Sequence, residues 1–208
     1  IKDFIITGHS QGGGISFLLT SYVESLKEDK RIPADIRFKT YCSAGPKPGN
    51  LFYAYDYENL TRNGWAFNII NTADWVPQVP FSIQTINDFA NTNPFTNAKK
   101  TIKKQKFPEN LLLRHVYNQL SKPAKKAQKR YQRYLGKIVS KTVKKKIPDF
   151  TPPAYYPSNH YVRTGVTIVL YADEEYTAVF PDDPAKIWQH HLLEPYLYLA
   201  EKLYSSKK

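Results

Sequence analysis

A glycine-flanked serine between an apolar run and an amphipathic segment constrains the fold of this chain more than any other feature. Residues 4–6 are Phe-Ile-Ile, residues 8–12 are Gly-His-Ser-Gln-Gly, and apolar residues then recur at helical spacing from Ile15 to Leu26. The pattern predicts a buried strand, a tight turn and a helix that ends before Pro33. Such a turn holds its serine in a strained conformation, with the hydroxyl exposed at the end of the strand.

Further strands indicate the fold class. Alternating residues predict strands over 36–42 and 65–71. Residues 166–171 and 176–180 are expected to form a hairpin, and residues 193–204 a final helix. The order of strand, helix and strand predicts an α/β fold with a central, mostly parallel sheet and flanking helices. In this class the loops at the carboxyl ends of the strands hold the chemistry.

Composition narrows the class of protein. With 208 residues, 41% of them hydrophobic, the chain is expected to form a single domain over residues 1–208. No apolar run approaches the roughly 18 to 20 residues of a membrane-spanning helix. The single cysteine, Cys42, excludes an intrachain disulfide and a thiolate metal cluster. The core is therefore expected to be held by packing alone.

The net charge of +12 is concentrated in one segment. Residues 99–146 hold 17 of the 30 lysines and arginines and a single acidic residue, Glu109. We therefore predict a basic helical insertion at residues 99–148, with one amphipathic helix over 111–143 or two helices broken near Pro123. The preferred interpretation is a cap that packs on the body of the domain. A second is an element, Lys99–Lys146, that docks on an anionic lipid surface. Nucleic-acid binding is disfavoured because no recognition motif is present.

The serine of the turn needs partners to react. A serine hydroxyl is a poor nucleophile near neutral pH, so it requires a histidine base oriented by a carboxylate. The backbone N–H of Gln11, next to Ser10, is expected to face the developing oxyanion. Asp74 directly follows the strand at 65–71 and is the preferred carboxylate, whereas Asp56 and Asp88 have less defined contexts.

The histidine is harder to assign. His9 lies inside the turn and is expected to point away from Ser10, and His115 and His160 have surface contexts. Pro195 cannot lie in a helix interior, so the last helix should begin after His191 and leave that residue at its entrance. From the residues alone, His191 is preferred and the adjacent His190 stays open.

Four stretches resemble the class 3 lipases, a fungal-type family of α/β-hydrolases. Residues 7–13, Thr-Gly-His-Ser-Gln-Gly-Gly, are similar to the family's Thr-Gly-His-Ser-Leu-Gly-Gly turn. Residues 45–50 resemble its Pro-x-x-Gly-Asn turn, and residues 71–80 its Asn-x-x-Asp-x-Val-Pro-x-Leu-Pro block. In residues 191–197 a histidine is followed five positions later by tyrosine, as in the family, and this register selects His191 over His190.

The resemblance implies an α/β-hydrolase fold and hydrolysis of carboxylic esters, including acylglycerols, through an acyl-enzyme. Ser10 would be the nucleophile, His191 the base and Asp74 the orienting carboxylate. No metal or other cofactor is expected. The family's N-terminal strands, its lid and the second oxyanion donor would lie upstream of Ile1, and a secreted or cell-envelope location is favoured. The alternative is a catalytically silent hydrolase-fold module that binds an anionic surface or a partner through the basic insertion.

Overall fold

The computed structural model describes residues 1–205. The chain divides into two compact units, which are described separately below. Within the described residues, the first unit combines residues 1–81 with residues 161–205, and the second comprises residues 82–160. The predicted basic insertion, residues 99–148, falls inside the second unit.

The described chain alternates strands and helices. The strands are β1 (Asp3–His9), β2 (Arg37–Ser43), β3 (Gly49–Asn50), β4 (Ala66–Asn71), β5 (Tyr161–Val162) and β6 (Val166–Leu170). The helices are α1 (Gln11–Glu28), α2 (Leu51–Leu60), α3 (Ala98–Lys103), α4 (Glu109–Tyr131), α5 (Val139–Lys146), α6 (Glu174–Val179) and α7 (Leu193–Ser205). No helix within residues 1–205 combines the length and the apolar character that crossing a bilayer requires.

The main sheet of the first unit has four strands in the order β1-β2-β4-β6, and all neighbouring pairs are parallel. A separate pair, β3 and β5, is antiparallel. Because parallel strands end at the same edge, the residues that follow β1 and β4 meet there. The predicted α/β fold, with its mostly parallel sheet and flanking helices, is confirmed, as are the first three predicted strands.

The predicted hairpin is wrong. Residues 166–170 form β6, which is parallel to β4, and residues 174–179 form α6 instead of a second strand. The Asp173 side chain caps this helix by accepting a hydrogen bond from the Tyr176 N–H at 3.0 Å. Two glutamates in the first turn favour the helix further, because acidic side chains complement the helix dipole. Local capping therefore outweighs the strand preference of Tyr176 and its neighbours.

Helix α1 packs on the sheet through small residues. Its buried positions are Gly13, Ser16, Phe17 and Thr20, whereas the apolar face found in the sequence is largely exposed, with Leu18 54% and Tyr22 55% accessible. A Cβ at Gly13 would lie 2.8 Å from the Ser43 carbonyl oxygen, so the helix approaches the sheet closely. The Thr20 and Thr40 hydroxyls are hydrogen-bonded at 2.8 Å in this interface. Close backbone approach decides the orientation of α1.

Two buried clusters form the core of the first unit. On one side Phe17 packs with Cys42, Tyr57 and Ala66. The other cluster contains side chains from β6, α6 and α7 and comprises Ala44, Leu170, Tyr176, Tyr196 and Leu199. The second cluster brings α7 against the sheet end where Asp74 lies, so it positions the residues just before α7.

The second unit is mainly helical. Pro123 lies inside α4 without ending it, so of the two alternatives for this segment the break near Pro123 is wrong. The change of helix geometry comes later, where residues Gln132–Ile138 form a π-helical segment before α5. Gln128 of α4 is buried and donates a hydrogen bond from Nε2 to the Pro157 carbonyl at 2.8 Å. Asp88 accepts hydrogen bonds from the Thr85 N–H and hydroxyl and from the Ser158 hydroxyl.

Candidate active site

Ser10 lies in a sharp turn between β1, which ends at His9, and α1, which begins at Gln11. Its backbone has φ 61° and ψ −126°, a left-handed conformation that is strained for a residue with a side chain. A Cβ at Gly8 would lie 2.3 Å from the Gly12 carbonyl oxygen, so only glycine fits there. The Ser10 N–H donates to the Ser43 carbonyl at 2.9 Å, which ties the turn to β2.

Asp74 follows β4 and is buried, with 1% of its surface exposed. Its Oδ1 accepts a hydrogen bond from the Val76 N–H at 2.9 Å. Its Oδ2 is 2.8 Å from His191 Nδ1 and also 2.8 Å from the Tyr196 hydroxyl, which donates to it. Three donors therefore hold this carboxylate in one orientation.

His191 joins the serine to the aspartate. Its Nδ1 is hydrogen-bonded to Asp74 Oδ2 at 2.8 Å and its Nε2 to Ser10 Oγ at 2.7 Å. In the neutral ring, an Nδ1–H that donates to the carboxylate leaves Nε2 free to accept from the serine hydroxyl. As predicted, His191 lies just before the last helix, because α7 begins at Leu193 and has Pro195 in its first turn.

The neighbouring histidine faces another network. His190 Nδ1 accepts a hydrogen bond from the Tyr176 hydroxyl at 2.7 Å, and its Nε2–H donates to Asp182 at 3.0 Å. Its backbone carbonyl accepts a hydrogen bond from Asn71 Nδ2 at 3.1 Å. His190 therefore anchors the segment before α7 to the end of β4, and its ring is engaged away from Ser10.

The predicted oxyanion donor is the backbone N–H of Gln11. Gln11 is the first residue of α1, and the first N–H groups of a helix have no acceptor within the helix. The positive end of the helix dipole lies at the same place.

The sequence did not indicate that His9 belongs to the cluster formed by Ser10, Asp74 and His191. Its Nε2–H donates to the His191 backbone carbonyl at 2.8 Å, and its Nδ1 is 3.1 Å from the Ser43 hydroxyl. Its ring also lies 5.2 Å from the His191 ring and packs edge-on against Tyr196 at 5.2 Å. His9 therefore fixes the backbone of His191. No local pattern could have predicted a contact between residues 182 positions apart.

In the sequence, Tyr196 stands out only by its spacing from His191, but its side chain belongs to the same cluster. Its hydroxyl donates to Asp74 Oδ2 and accepts from the Asn71 N–H at 3.1 Å. Burial raises the pKa of this hydroxyl far above its usual range, so it stays protonated and keeps donating to the carboxylate. The spacing of five residues from His191 is the signal that could have identified it.

Replacing Tyr196 by phenylalanine is expected to lower the free energy of unfolding by about 1–3 kcal/mol, because the buried Asn71 N–H loses its acceptor. Equilibrium urea unfolding measures the change. Tyr198→Phe is the matched control, since that hydroxyl only reaches the exposed Glu175 at 3.3 Å. Equal losses in the two variants would contradict a specific role of the Tyr196 hydroxyl.

Exposed aromatic side chains flank the cluster on the His191 side. The Trp75 indole N–H donates to the Ile187 carbonyl at 2.8 Å, and its ring lies 4.8 Å from that of Trp188. The Trp188 ring is 5.5 Å from His191. The two tryptophans are 39% and 49% exposed. Exposed apolar surface beside a reactive group favours contact with an apolar ligand.

Residues 1–205 contain no group of three or more histidine, cysteine, aspartate or glutamate side chains arranged to hold a metal ion.

The chain was compared with known proteins. Residues 2–84 match the family model described as Lipase (class 3), and this segment includes Ser10 and Asp74 but not His191. The comparison with curated proteins gave no match. Among solved structures, that of M37 lipase matches with 24% sequence identity and a TM-score of 0.35. The match covers 49% of this chain and 25% of the length of the M37 lipase chain.

Proposed function

We propose that the chain hydrolyses carboxylic esters through an acyl-enzyme on Ser10, because residues 2–84 match the class 3 lipase family model. The observation that carries the proposal is the unbroken series of hydrogen bonds from Ser10 Oγ through His191 to Asp74, at 2.7 and 2.8 Å. This is the arrangement that activates a serine hydroxyl in water near neutral pH.

In the first half-reaction, Ser10 Oγ attacks the ester carbonyl carbon and its proton passes to His191 Nε2. The tetrahedral intermediate collapses when His191 returns the proton to the leaving alcohol, which leaves the acyl group on Ser10. In the second half-reaction water takes the place of the alcohol. His191 accepts the proton of that water and then gives it back to Ser10 Oγ as the carboxylic acid departs.

Asp74 has two roles in this proposal. Its hydrogen bond to Nδ1 selects the tautomer in which Nε2 accepts a proton, and its charge stabilises the imidazolium that then forms. The support is its burial and its three donors, which prevent the carboxylate from turning away.

The oxyanion is proposed to bind at the start of α1. The Gln11 N–H adjoins the nucleophile in sequence and belongs to the first turn of the helix. A donor that is already in place when negative charge develops costs no reorganisation during the reaction. The strained backbone of Ser10 supports this assignment, because it is the conformation of a nucleophile at a strand-to-helix turn.

We propose esters with an apolar acyl group, including acylglycerols, as the substrate class. The support is the pair of exposed indoles, Trp75 and Trp188, next to His191. Exposed leucines at positions 192 and 193 extend this apolar surface toward α7. Burial of such surface by an acyl chain would contribute about 25 cal/mol for each Å² removed from water.

Two measurements on the purified chain test the proposal. Hydrolysis of p-nitrophenyl esters from acetate to palmitate should give a measurable rate, with longer chains preferred if the indole pair binds the acyl group. A fluorophosphonate should modify one residue, identified as Ser10 by mass spectrometry. A folded chain with neither hydrolysis nor labelling would overturn the proposal and favour the silent, surface-binding module.

A further inference from the structure

The second unit contains a basic cavity of about 470 Å³ between α3 and the first half of α4. Its size lies in the range of sites that bind small molecules. Four cationic side chains line it, Lys99, Lys103, Arg114 and Lys122, together with three neutral hydrogen-bonding ones, Asn110, Tyr117 and Asn118. The cavity therefore has the charge of an anion-binding site.

The four cations are not neutralised by the protein. Within residues 1–205, no carboxylate lies within ion-pairing distance of any of them. The only acidic residue between positions 99 and 146 is Glu109, which does not line the cavity. Like charges around one cavity repel one another, and a multiply charged anion bound among them would turn that repulsion into attraction.

An apolar slot of about 230 Å³ adjoins this cavity. The Tyr117 side chain lines both spaces. Phe89, Phe95 and Leu120 line the slot, and the two phenylalanine rings lie 5.4 Å apart. A ligand that filled both spaces would carry its negative charge at one end and an apolar chain at the other.

We propose that the second unit binds a lipid phosphate monoester, with the phosphate among the four cations and the start of its apolar chain in the slot. A phosphate monoester carries a charge of about −1.5 to −2 at pH 7 and three strong acceptor oxygens, which suits a site built from lysines and a guanidinium. The phosphates of a nucleic acid would pair with the four cations, but the apolar slot would stay empty. The site uses none of Ser10, Asp74 and His191 and goes beyond the proposed ester hydrolysis.

Octyl phosphate is the direct probe, because it has a phosphate monoester and an apolar chain but no carboxylic ester that the chain could hydrolyse. Isothermal titration at about 0.1 M salt, where interactions beyond about 10 Å are screened, should show one bound molecule per chain. Glycerol 3-phosphate, which lacks the chain, should bind at least about tenfold more weakly, and octylphosphocholine, which is neutral overall, should not bind. The chain should float with phosphatidylcholine vesicles only when the vesicles contain phosphatidic acid. This measurement tests whether a membrane lipid can supply the phosphate monoester.

Matched variants separate the cavity from the general charge of the segment. Lys103→Gln with Arg114→Gln should weaken octyl phosphate binding at least about tenfold. Lys141→Gln with Lys144→Gln removes the same charge from α5, outside the cavity, and should leave binding within about threefold. Leu120→Ser should weaken octyl phosphate but not glycerol 3-phosphate, and it should not disturb folding because Leu120 is 76% exposed.

Three results would overturn the proposal. One is the absence of octyl phosphate binding to the folded chain. Another is an equal loss of binding in the two double variants, which would indicate diffuse charge instead of a site. The third is a single-stranded oligonucleotide that binds where octyl phosphate does not, which would assign the basic segment to nucleic acid. Each can occur whether or not the chain hydrolyses esters, so failure here is distinct from failure of the proposed activity.

Discussion

Replacing Ser10 by alanine is expected to lower kcat for p-nitrophenyl esters by about a million-fold, the loss seen when a serine nucleophile or its histidine is removed. His191→Ala should cost about as much, because in the proposed mechanism Ser10 and His191 act as one unit through the 2.7 Å hydrogen bond between them. For the same reason the double variant should be hardly slower than either single variant. Rates measured on all three, with folding checked by circular dichroism, provide the test.

The adjacent histidine is the control for this experiment. His190→Ala removes an imidazole one position away, but that ring contacts Tyr176 and Asp182 and not the serine. Its kcat should stay within about tenfold of the wild type, since only the anchoring of the segment before α7 changes. If His190→Ala instead lost as much activity as His191→Ala, the assignment of His191 as the base would be wrong.

The second large effect is expected for Asp74→Asn, with a fall in kcat of about ten-thousand-fold and little change in backbone structure. An amide can donate to the His191 ring as well as accept from it, so it no longer selects the tautomer whose Nε2 accepts the serine proton. It also lacks the negative charge that stabilises the imidazolium. Steady-state kinetics on a folded variant measures the loss.

Asp88→Asn is the matched control for Asp74. Asp88 is also a buried carboxylate, 4% exposed, and accepts hydrogen bonds from Thr85 and Ser158 in the second unit. We expect its substitution to lower stability by about 1–3 kcal/mol and leave kcat unchanged. A comparable fall in kcat for both variants would show that the loss at Asp74 reports disturbed folding and not a lost carboxylate.

The features that could be predicted are determined by residues close to them in the sequence. The turn at Ser10 follows from Gly8, whose missing side chain lets the Gly12 carbonyl approach. The position of Asp74 follows from the strand that precedes it, and that of His191 from Pro195, which restricts where α7 can begin. Each of these signals lies within a few residues of the feature that it predicts.

The features that the sequence analysis missed or mispredicted depend on competition between local signals or on packing against the rest of the fold. The spacing of the apolar residues at positions 15, 18, 19 and 22 predicts the helix α1 correctly, but it does not show that Gly13 and Thr20 lie on the face against the sheet. Small residues on that face permit the close approach of the helix to β2. Residues 176–180 have strand-like composition, but the Asp173 cap and the burial of Tyr176 favour a helix.

By itself, the sequence determined the strand, turn and helix around Ser10, the α/β class, the basic segment and the short set of residues able to act together. Only the tertiary structure showed that His191 Nε2 reaches Ser10 Oγ while Nδ1 reaches Asp74, and that His9 and Tyr196 hold these residues in place. The physical reason is distance along the chain. Ser10 and His191 are 181 positions apart and His191 and Asp74 are 117 apart, so their hydrogen bonds exist only once the parallel sheet has brought its strand ends together.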